Sequence, residues 1–366
     1  MKVLHLDSGM DWRGGQQQVY FLATGLKKLG VEQRLVLRKG GELAARVHRL
    51  ELAASALPLS SEWAPNSCFQ LAKIVRRFSP DIIHAHDSRT LGLAAALKVF
   101  GGKWKLLAAR RVAFSMGKNP FSKFKYQRKV DKIIAVSRFI RDLLIREGIN
   151  PGRIVVIYDG YDLELMDSRF DRAAARRHLG VGQDEFVIGC VGKFSLEKGH
   201  EFLIRGFQKI RDVYSQARLI LVGDGALKDR YQRLIHELQL DQKVLLPGFV
   251  SNLSQILPAL DLFVFPSLEE GLGSTLLLAM AHQIPVCASR TGGIPELVIE
   301  GQTGFLFPPG NSQALAETLT QAWHDRPLAQ SLAQQAFLRV KTDFPVERMI
   351  AETHQIYVNV LGSGNR

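Results

Sequence analysis

Three short loops in this sequence carry residue types that hold charged, oxygen-rich ligands. In DSGMDWRGGQQQ (7–18), Gly14 and Gly15 precede a helical pattern whose first amides are free to bind an anion. A tight strand-to-helix turn would use the same glycine pair. In GKFSLEKG (192–199), Gly192 opens a turn that brings Lys193 and Lys198 to the start of the next helix. Two lysines there oppose the helix dipole unless an anion lies beside them, so a diphosphate is a sensible guest. The loop lacks the Gly-x4-Gly-Lys-Ser/Thr spacing, which excludes a Walker P-loop; two solvated lysines is the plainer alternative. In PSLEEGLGSTLLLAMA (266–281), Glu269 and Glu270 sit at the mouth of an apolar run, and Gly271 and Gly273 permit close backbone approach. Ser274 or Thr275 then opens an apolar helix. Free amides over Leu272 to Thr275 suit phosphates or sugar hydroxyls, and Glu270 suits sugar hydroxyls or positive charge at an anomeric carbon. The plainer alternative is a capped helix with two exposed acids.

The elements that must position these loops alternate from one end of the chain to the other. Apolar runs at 3–6, 33–37, 81–86, 105–110, 132–136 and 153–157, and again at 186–192, 218–223, 243–248, 262–266, 285–288 and 304–307, are separated by amphipathic stretches. That alternation is the pattern of βα units and parallel sheets. The clearest helical patterns of the first half, 16–29 and 137–147, are followed by Gly30 and Gly148 as helix-ending glycines. The rhythm stops over 159–185, where Asp, Gly and Arg crowd together, and three helical stretches close the chain at about 312–324, 328–341 and 346–361. The expected fold class is α/β: two tandem doubly wound, Rossmann-like domains, with ligands beyond the carboxyl ends of the strands. The expected limits are 1–165 for the first domain, 166–185 for a junction, 186–345 for the second domain and 346–366 for a C-terminal helix crossing back to the first.

Composition narrows the classes. With 46% hydrophobic and 23% charged residues, the 366-residue chain is neither a disordered chain nor a fibrous repeat. Its apolar runs fall well short of the roughly 20 residues that span a bilayer, and its first residues do not read as a signal peptide, so a cytoplasmic location is expected. Cys68, Cys190 and Cys287 are odd in number and far apart, which points to reduced thiols rather than disulfides or a familiar zinc motif. Residues 1–180 carry net charge +16 and residues 181–366 carry −3. The first half is therefore expected to face something anionic: nucleic acid, a phosphorylated glycan, or lipid headgroups. No helix-turn-helix, zinc or RNA-recognition pattern accompanies the charge, so nucleic acid is not expected.

The ordered series VGKFSLEKG, LILVGDG, VLLPGFV, VFPSLEEGLGSTLLLAMA, IPVCASRTGGIPELV and TGFLFPPGN resembles the family 4 (group 1) glycosyltransferases of the GT-B fold. In the first half the Gly-Gly loop, DIIHAHD, VSRFIRDLL and IYDGYDLELM resemble that family as well, so the likeness covers nearly all of the chain. It implies transfer of a sugar from a nucleotide donor with retention of anomeric configuration and without a metal. It also implies a donor-binding second domain, an acceptor-side first domain, and reaction in the cleft between them.

By the same resemblance, Lys193 stands where the family usually has Arg, and Lys198 matches its Lys; both would bear on the donor diphosphate. Glu270 matches the first Glu of the family's pair, and Gly248, Phe249 and Val250 match the segment beside the nucleotide base. Gly14 and Gly15 match the phosphate-facing loop. Leu278 takes the place of the second Glu, whose carboxylate commonly accepts hydrogen bonds from the ribose. The family often has a His shortly after the strand written here as KLLAAR, where this chain has Arg110 and Arg111. Those arginines either bind an anionic group or form structural ion pairs. His84 and His86 alternate on one face with Ile82, and buried histidines are more often structural than catalytic. His86 and Asp87, at the strand end, are acceptor-side candidates together with the two arginines.

The expected function is thus a retaining, metal-independent transferase that moves a sugar, from a UDP-sugar by preference and with no cofactor, to a hydroxyl of a glycan or lipid-linked acceptor in cell-envelope polysaccharide or lipopolysaccharide synthesis. The alternatives are a nucleotide-sugar-binding protein that has lost turnover and a sugar-nucleotide epimerase. Residues 103–129 hold Lys103, Lys105, Arg110, Arg111, Lys118, Lys123, Lys125, Arg128 and Lys129 and no acid, interleaved with Trp104, Phe114, Phe121, Phe124 and Tyr126. Cations beside aromatic rings suit the anionic inner-membrane surface; a solvated basic face with the rings in the core is the alternative.

Overall fold

The computed structural model describes residues 1–59, 65–115, 123–165 and 171–362, and it divides into two compact units, 1–160 with 346–366, and 161–345. Lys118 and Phe121 of the basic stretch, and residues 166–170 of the expected junction, lie outside the described residues.

The first unit holds a parallel seven-stranded sheet, β1 (Lys2–Asp7), β2 (Glu32–Arg38), β3 (Ala53–Leu57), β4 (Ile82–Ala85), β5 (Lys105–Arg110), β6 (Lys132–Ala135) and β7 (Ile154–Val156), in the order β3-β2-β1-β4-β5-β6-β7. Central strands buried on both faces read as continuous apolar runs, which is why the pattern found them. Strand β3 was not among the expected strands: AASAL has no β-branched residue, and as an edge strand it is mostly exposed. The helix Gly14–Lys28 puts Phe21, Leu22 and Leu26 against Val3 and Ile82 of the sheet.

The same cluster takes in Val346, Met349, Tyr357 and Val360 from the last described helix, Val346–Gly362, so this C-terminal segment completes the core of the first unit. The two helices meet where a Cβ on Gly25 would lie 2.3 Å from Cδ1 of Ile350, a contact only glycine permits without a shift.

The second unit holds six parallel strands, β8 (Phe186–Val191), β9 (Ala217–Val222), β10 (Val244–Gly248), β11 (Leu262–Phe265), β12 (Val286–Ser289) and β13 (Phe305–Phe307), in the order β10-β9-β8-β11-β12-β13. Its core is one cluster that includes Ile188, Phe207, Leu219, Val264 and Leu315. Part of the sequence expected to be a junction is built into this unit. Residues Arg172–Leu179 form a helix capped by Asp171 and ended by Gly180 in the left-handed conformation. Its Arg176 is fully buried and donates to Asp261 and to the carbonyls of Gly182 and Gln183. An Arg-rich segment reads as solvated linker unless its partner, here 85 residues away, is known. Both units are doubly wound parallel sheets, as the alternation of runs predicts.

Candidate functional site

In a doubly wound sheet the ligand crevice opens where successive strands depart to opposite sides. In the second unit that point lies between β8 and β11, with β9 on one side and β12 on the other. The loops that follow β8 and β11 are the two that carry Lys198 and Glu270. Lys198 Nζ lies 2.5 Å from Glu270 Oε2, with the two side chains about a quarter and an eighth exposed. Ser267 Oγ donates to the same carboxylate at 3.4 Å, and the ammonium also sits 5.4 Å from the Phe265 ring.

Backbone packing fixes these loops. Gly199, with φ +66°, follows the short turn Leu196–Lys198, and a Cβ there would stand 2.0 Å from the Pro266 carbonyl oxygen. The Leu268 N–H donates to the Glu197 carbonyl at 2.8 Å. On the other side, the Gly293 N–H donates to the Glu270 carbonyl at 3.2 Å, and a Cβ on Gly292 would lie 1.9 Å from that oxygen. Glu270 is thus pinned at its backbone by the turn after β12 and at its side chain by the turn after β8.

Gly271 and Leu272 are buried, and Gly273, with φ +104°, forms the N-cap of the helix Ser274–Ala281. No side chain caps this helix and its first turn holds no acid, so the amides at Ser274 and Thr275 suit an external anion. Leu278 is only partly buried, unlike Leu276, Leu277 and Met280, which are at most 1% exposed. It shares the half-open face of Ser274, one helical turn earlier. Gly192 begins the β8 loop, and Lys193 projects from it exposed. Gly248 ends the edge strand β10, and Phe249 and Val250 follow it; Gly248 has φ +83° and Phe249 is half exposed.

One residue beneath the β8 loop carried no sequence signal. His200 is fully buried, its ring edge-on to Phe194 and beside Tyr231, with neither ring nitrogen hydrogen-bonded. Burial, with the Lys198 charge adding to it, lowers its pKa to about 3, so the imidazole is neutral at physiological pH.

In the first unit the corresponding switch point lies between β1 and β4. Asp7 ends β1 and accepts from the Gly9 N–H at 2.8 Å and from Gln16 Nε2. Burial, followed by the charge of Asp87, raises its pKa to about 6. Asp87 is the N-cap of the helix Ser88–Val99, accepting from the Arg89 and Thr90 amides and, through its other oxygen, from the Ser8 N–H. Both of its oxygens therefore have structural work. Gly14 opens the helix Gly14–Lys28 without a side-chain cap, and the space over Gly15 is open.

His86 joins His84 and His5 in one buried group on the same sheet face. His5 Nδ1 is 3.0 Å from His86 Nε2, and His84 Nδ1 is 2.7 Å from the Tyr357 hydroxyl. Desolvation holds all three well below the usual imidazole range. His5 and Asp7 were missed because an apolar run such as VLHLD reads as plain core. Arg111 pairs with Asp159 at 3.1 Å, both largely buried, while Arg110 is buried and donates to the Phe114 carbonyl.

The basic stretch is divided by the fold. Lys125 and Tyr126 lie inside, with Lys125 Nζ donating to the Ser88 carbonyl, whereas Lys103, Lys123 and Arg128 are exposed with Phe114 and Phe124. Close by along the chain, Val99 and Phe100 are 55% and 85% exposed at the end of the helix that starts at Ser88. Among the three thiols, Cys190 and Cys287 are buried and Cys68 partly so, all unbridged. No described helix is long and apolar enough to cross a membrane.

Two sequence profiles match this chain: glycosyl transferases group 1 over residues 171–339, and glycosyltransferase family 4 over residues 12–165. The N-acetyl-alpha-D-glucosaminyl L-malate synthase of Bacillus anthracis is 26% identical over 88% of this chain and 92% of its own length. An N-acetylgalactosaminyltransferase of Campylobacter jejuni, whose name gives a diacetylbacillosaminyl-diphospho-undecaprenol acceptor, is 27% identical over 76% of each chain. Among solved structures, Anabaena HepE in complex with UDP and glucose superposes with a TM-score of 0.86, at 26% identity over 97% of this chain and 99% of that one.

Proposed function

The chain belongs to the group 1 glycosyltransferases, enzymes that move a sugar from a nucleotide sugar, and on that premise we propose that it is a retaining transferase using a UDP-sugar and a glycan or lipid-linked acceptor. The observation that carries this reading is the Lys198–Glu270 pair at the switch point of the second unit. A cation for the donor diphosphate and a carboxylate for sugar hydroxyls stand side by side, next to helix amides that no side chain caps.

In the proposed reaction the acceptor hydroxyl oxygen forms a bond to the anomeric carbon as the bond from that carbon to the diphosphate oxygen breaks. The diphosphate carries away the bonding pair, held by Lys198, Lys193 and the amides of Ser274 and Thr275. The acceptor proton passes to the departing phosphate oxygen, so no dedicated protein base is needed, and Lys193 and Lys198 supply the countercharge without a metal. UDP as the carrier is supported by the UDP held in the HepE structure.

An acceptor at the cytoplasmic face of the inner membrane, in envelope or lipopolysaccharide synthesis, is supported by the undecaprenol-linked acceptor named for the Campylobacter relative and by the net charge of +16 over residues 1–180. Exposed Phe100 and Phe124, near exposed Lys103 and Arg128 in sequence, supply rings and cations of the kind that settle at headgroups.

The test is a panel of UDP-, GDP-, ADP- and CMP-sugars read by thermal shift, then NMR of the product anomer formed from the best donor. A UDP-sugar that stabilises the protein and yields product with the donor's configuration supports the proposal; inverted product, or epimerised donor, overturns it. Sedimentation with anionic and neutral vesicles at low and high salt tests the membrane component, which fails if anionic vesicles are not preferred at low salt.

A further inference from the structure

We propose that His5, His84 and His86 form a binding site for a divalent transition-metal ion, zinc foremost, within the first unit. The three residues converge because of strand register. His5 of β1 pairs directly with His84 of β4, and His86 follows two residues later on the same face. Each offers a ring nitrogen, the three lie within 4.8 Å of one another, and the side chains are 0%, 1% and 7% exposed.

The hydrogen bonding is that of ligands more than of core histidines. Tyr357 holds His84 by Nδ1 at 2.7 Å and leaves its Nε2 without a partner. A metal-bound histidine is oriented in this way, one nitrogen fixed by a neighbouring group and the other turned to the ion. His5 Nε2 and His86 Nδ1 are likewise buried without partners. Three imidazoles thus share one hydroxyl and one mutual contact. A core histidine ordinarily has its nitrogens satisfied, and three together without that is costly unless something else occupies the lone pairs.

An all-imidazole set suits zinc, copper or nickel and does not suit magnesium or calcium. Bonds of about 2.0–2.1 Å at tetrahedral angles bring ligand nitrogens to roughly 3.4 Å from one another. The 3.0 Å contact between His5 Nδ1 and His86 Nε2 is already that close, and one ring nitrogen from each of the three residues lies within 4.8 Å of the others. The cation nearby, Arg111, has its charge balanced by Asp159 at 3.1 Å, and the Asp7 carboxyl lies two residues beyond His5 on the same face. The ion would tie β1 to β4 at the switch point and, through Tyr357, to the helix Val346–Gly362. This role is structural and separate from the donor loops of the second unit.

The experiment uses untagged full-length protein stripped with a chelator and reloaded. Zinc content by mass spectrometry is expected to reach one ion per chain, and cobalt(II) is expected to give the intense visible bands of a nitrogen-ligated tetrahedral site that zinc then displaces. Zinc should raise the Tm of the stripped protein. Tyr357→Phe should weaken the metal by about 10- to 100-fold while UDP still stabilises the second unit, and His86→Gln should abolish stoichiometric loading. Absence of the cobalt bands and of any zinc-dependent Tm shift in the unaltered protein overturns the proposal, even if the variants do not fold. Loading that survives both substitutions places the metal elsewhere and overturns it as well.

Discussion

Lys198 and Glu270, 72 residues apart in sequence, form an ion pair 2.5 Å long across the switch point of the second sheet. Each side chain is held in place by the other.

Removing the cation should expose this coupling. Lys198→Ala is expected to weaken UDP binding by about tenfold or more, since a hydrogen bond to a charged group contributes about 1.5–3 kcal/mol. Calorimetric titration checks it, with the melting profile of the free protein showing that the fold is kept. Unchanged affinity would remove the β8 loop from the donor site.

Glu270→Gln keeps the shape and removes the charge. Transfer is expected to fall by about 100-fold or more, whereas free UDP is expected to bind within a few-fold of its original affinity, because the proposal gives the carboxylate to the sugar and not to the nucleotide. Equal losses in turnover and UDP affinity would reassign Glu270 to the nucleotide.

Leu278 is the partly exposed member of an otherwise buried helical run, so a carboxylate placed there faces outward from the core. Leu278→Glu is expected to fold and to tighten UDP binding by about 5- to 30-fold, the worth of one or two ribose hydrogen bonds at about 1 kcal/mol each. Weaker binding in a folded variant would mean that the leucine, not a missing acid, serves the donor.

His200 makes the second unit sensitive to acid. Its pKa is lowered to about 3 when folded and returns to the ordinary 6.5 when unfolded, so below pH 6.5 the unfolded chain binds the extra proton. Stability is therefore full above pH 6.5 and is lost as pH falls toward 3, by up to about 1.4 kcal/mol per pH unit from this group. His200→Phe, a ring of similar shape between Phe194 and Tyr231, should flatten the denaturation-versus-pH profile by that slope. Identical profiles would show that the imidazole finds a partner.

The sequence revealed the elements whose burial is uniform and concealed those whose meaning depends on a distant partner. Strands β8 and β11 announce themselves as FVIGCV and LFVF because both faces are covered. The lysine and acid at their ends were readable as well, since ligands gather at strand termini. The helix Arg172–Leu179 was not, because Arg172 and Arg176 are anchored by Asp261, far along the chain. Asp87 looked like a free strand-end acid until the helix behind it claimed its oxygens, and Leu278 could not be told from its buried neighbours by type. The histidine group was half visible in DIIHAH, but His5 joins it only through the pairing of β1 with β4.

The fit of Ile350 over Gly25 sets an order of events during synthesis. The second unit is one continuous stretch of chain, whereas the first is assembled from its beginning and its end. A ribosome delivers residues 161–345 before the helix that Phe21, Leu22 and Leu26 pack against, so the second unit can close while the first still shows an uncovered apolar stripe. A chain that stops short of Val346 would carry that stripe permanently, and its fate would be decided by chaperones and proteases, however well the second unit had folded.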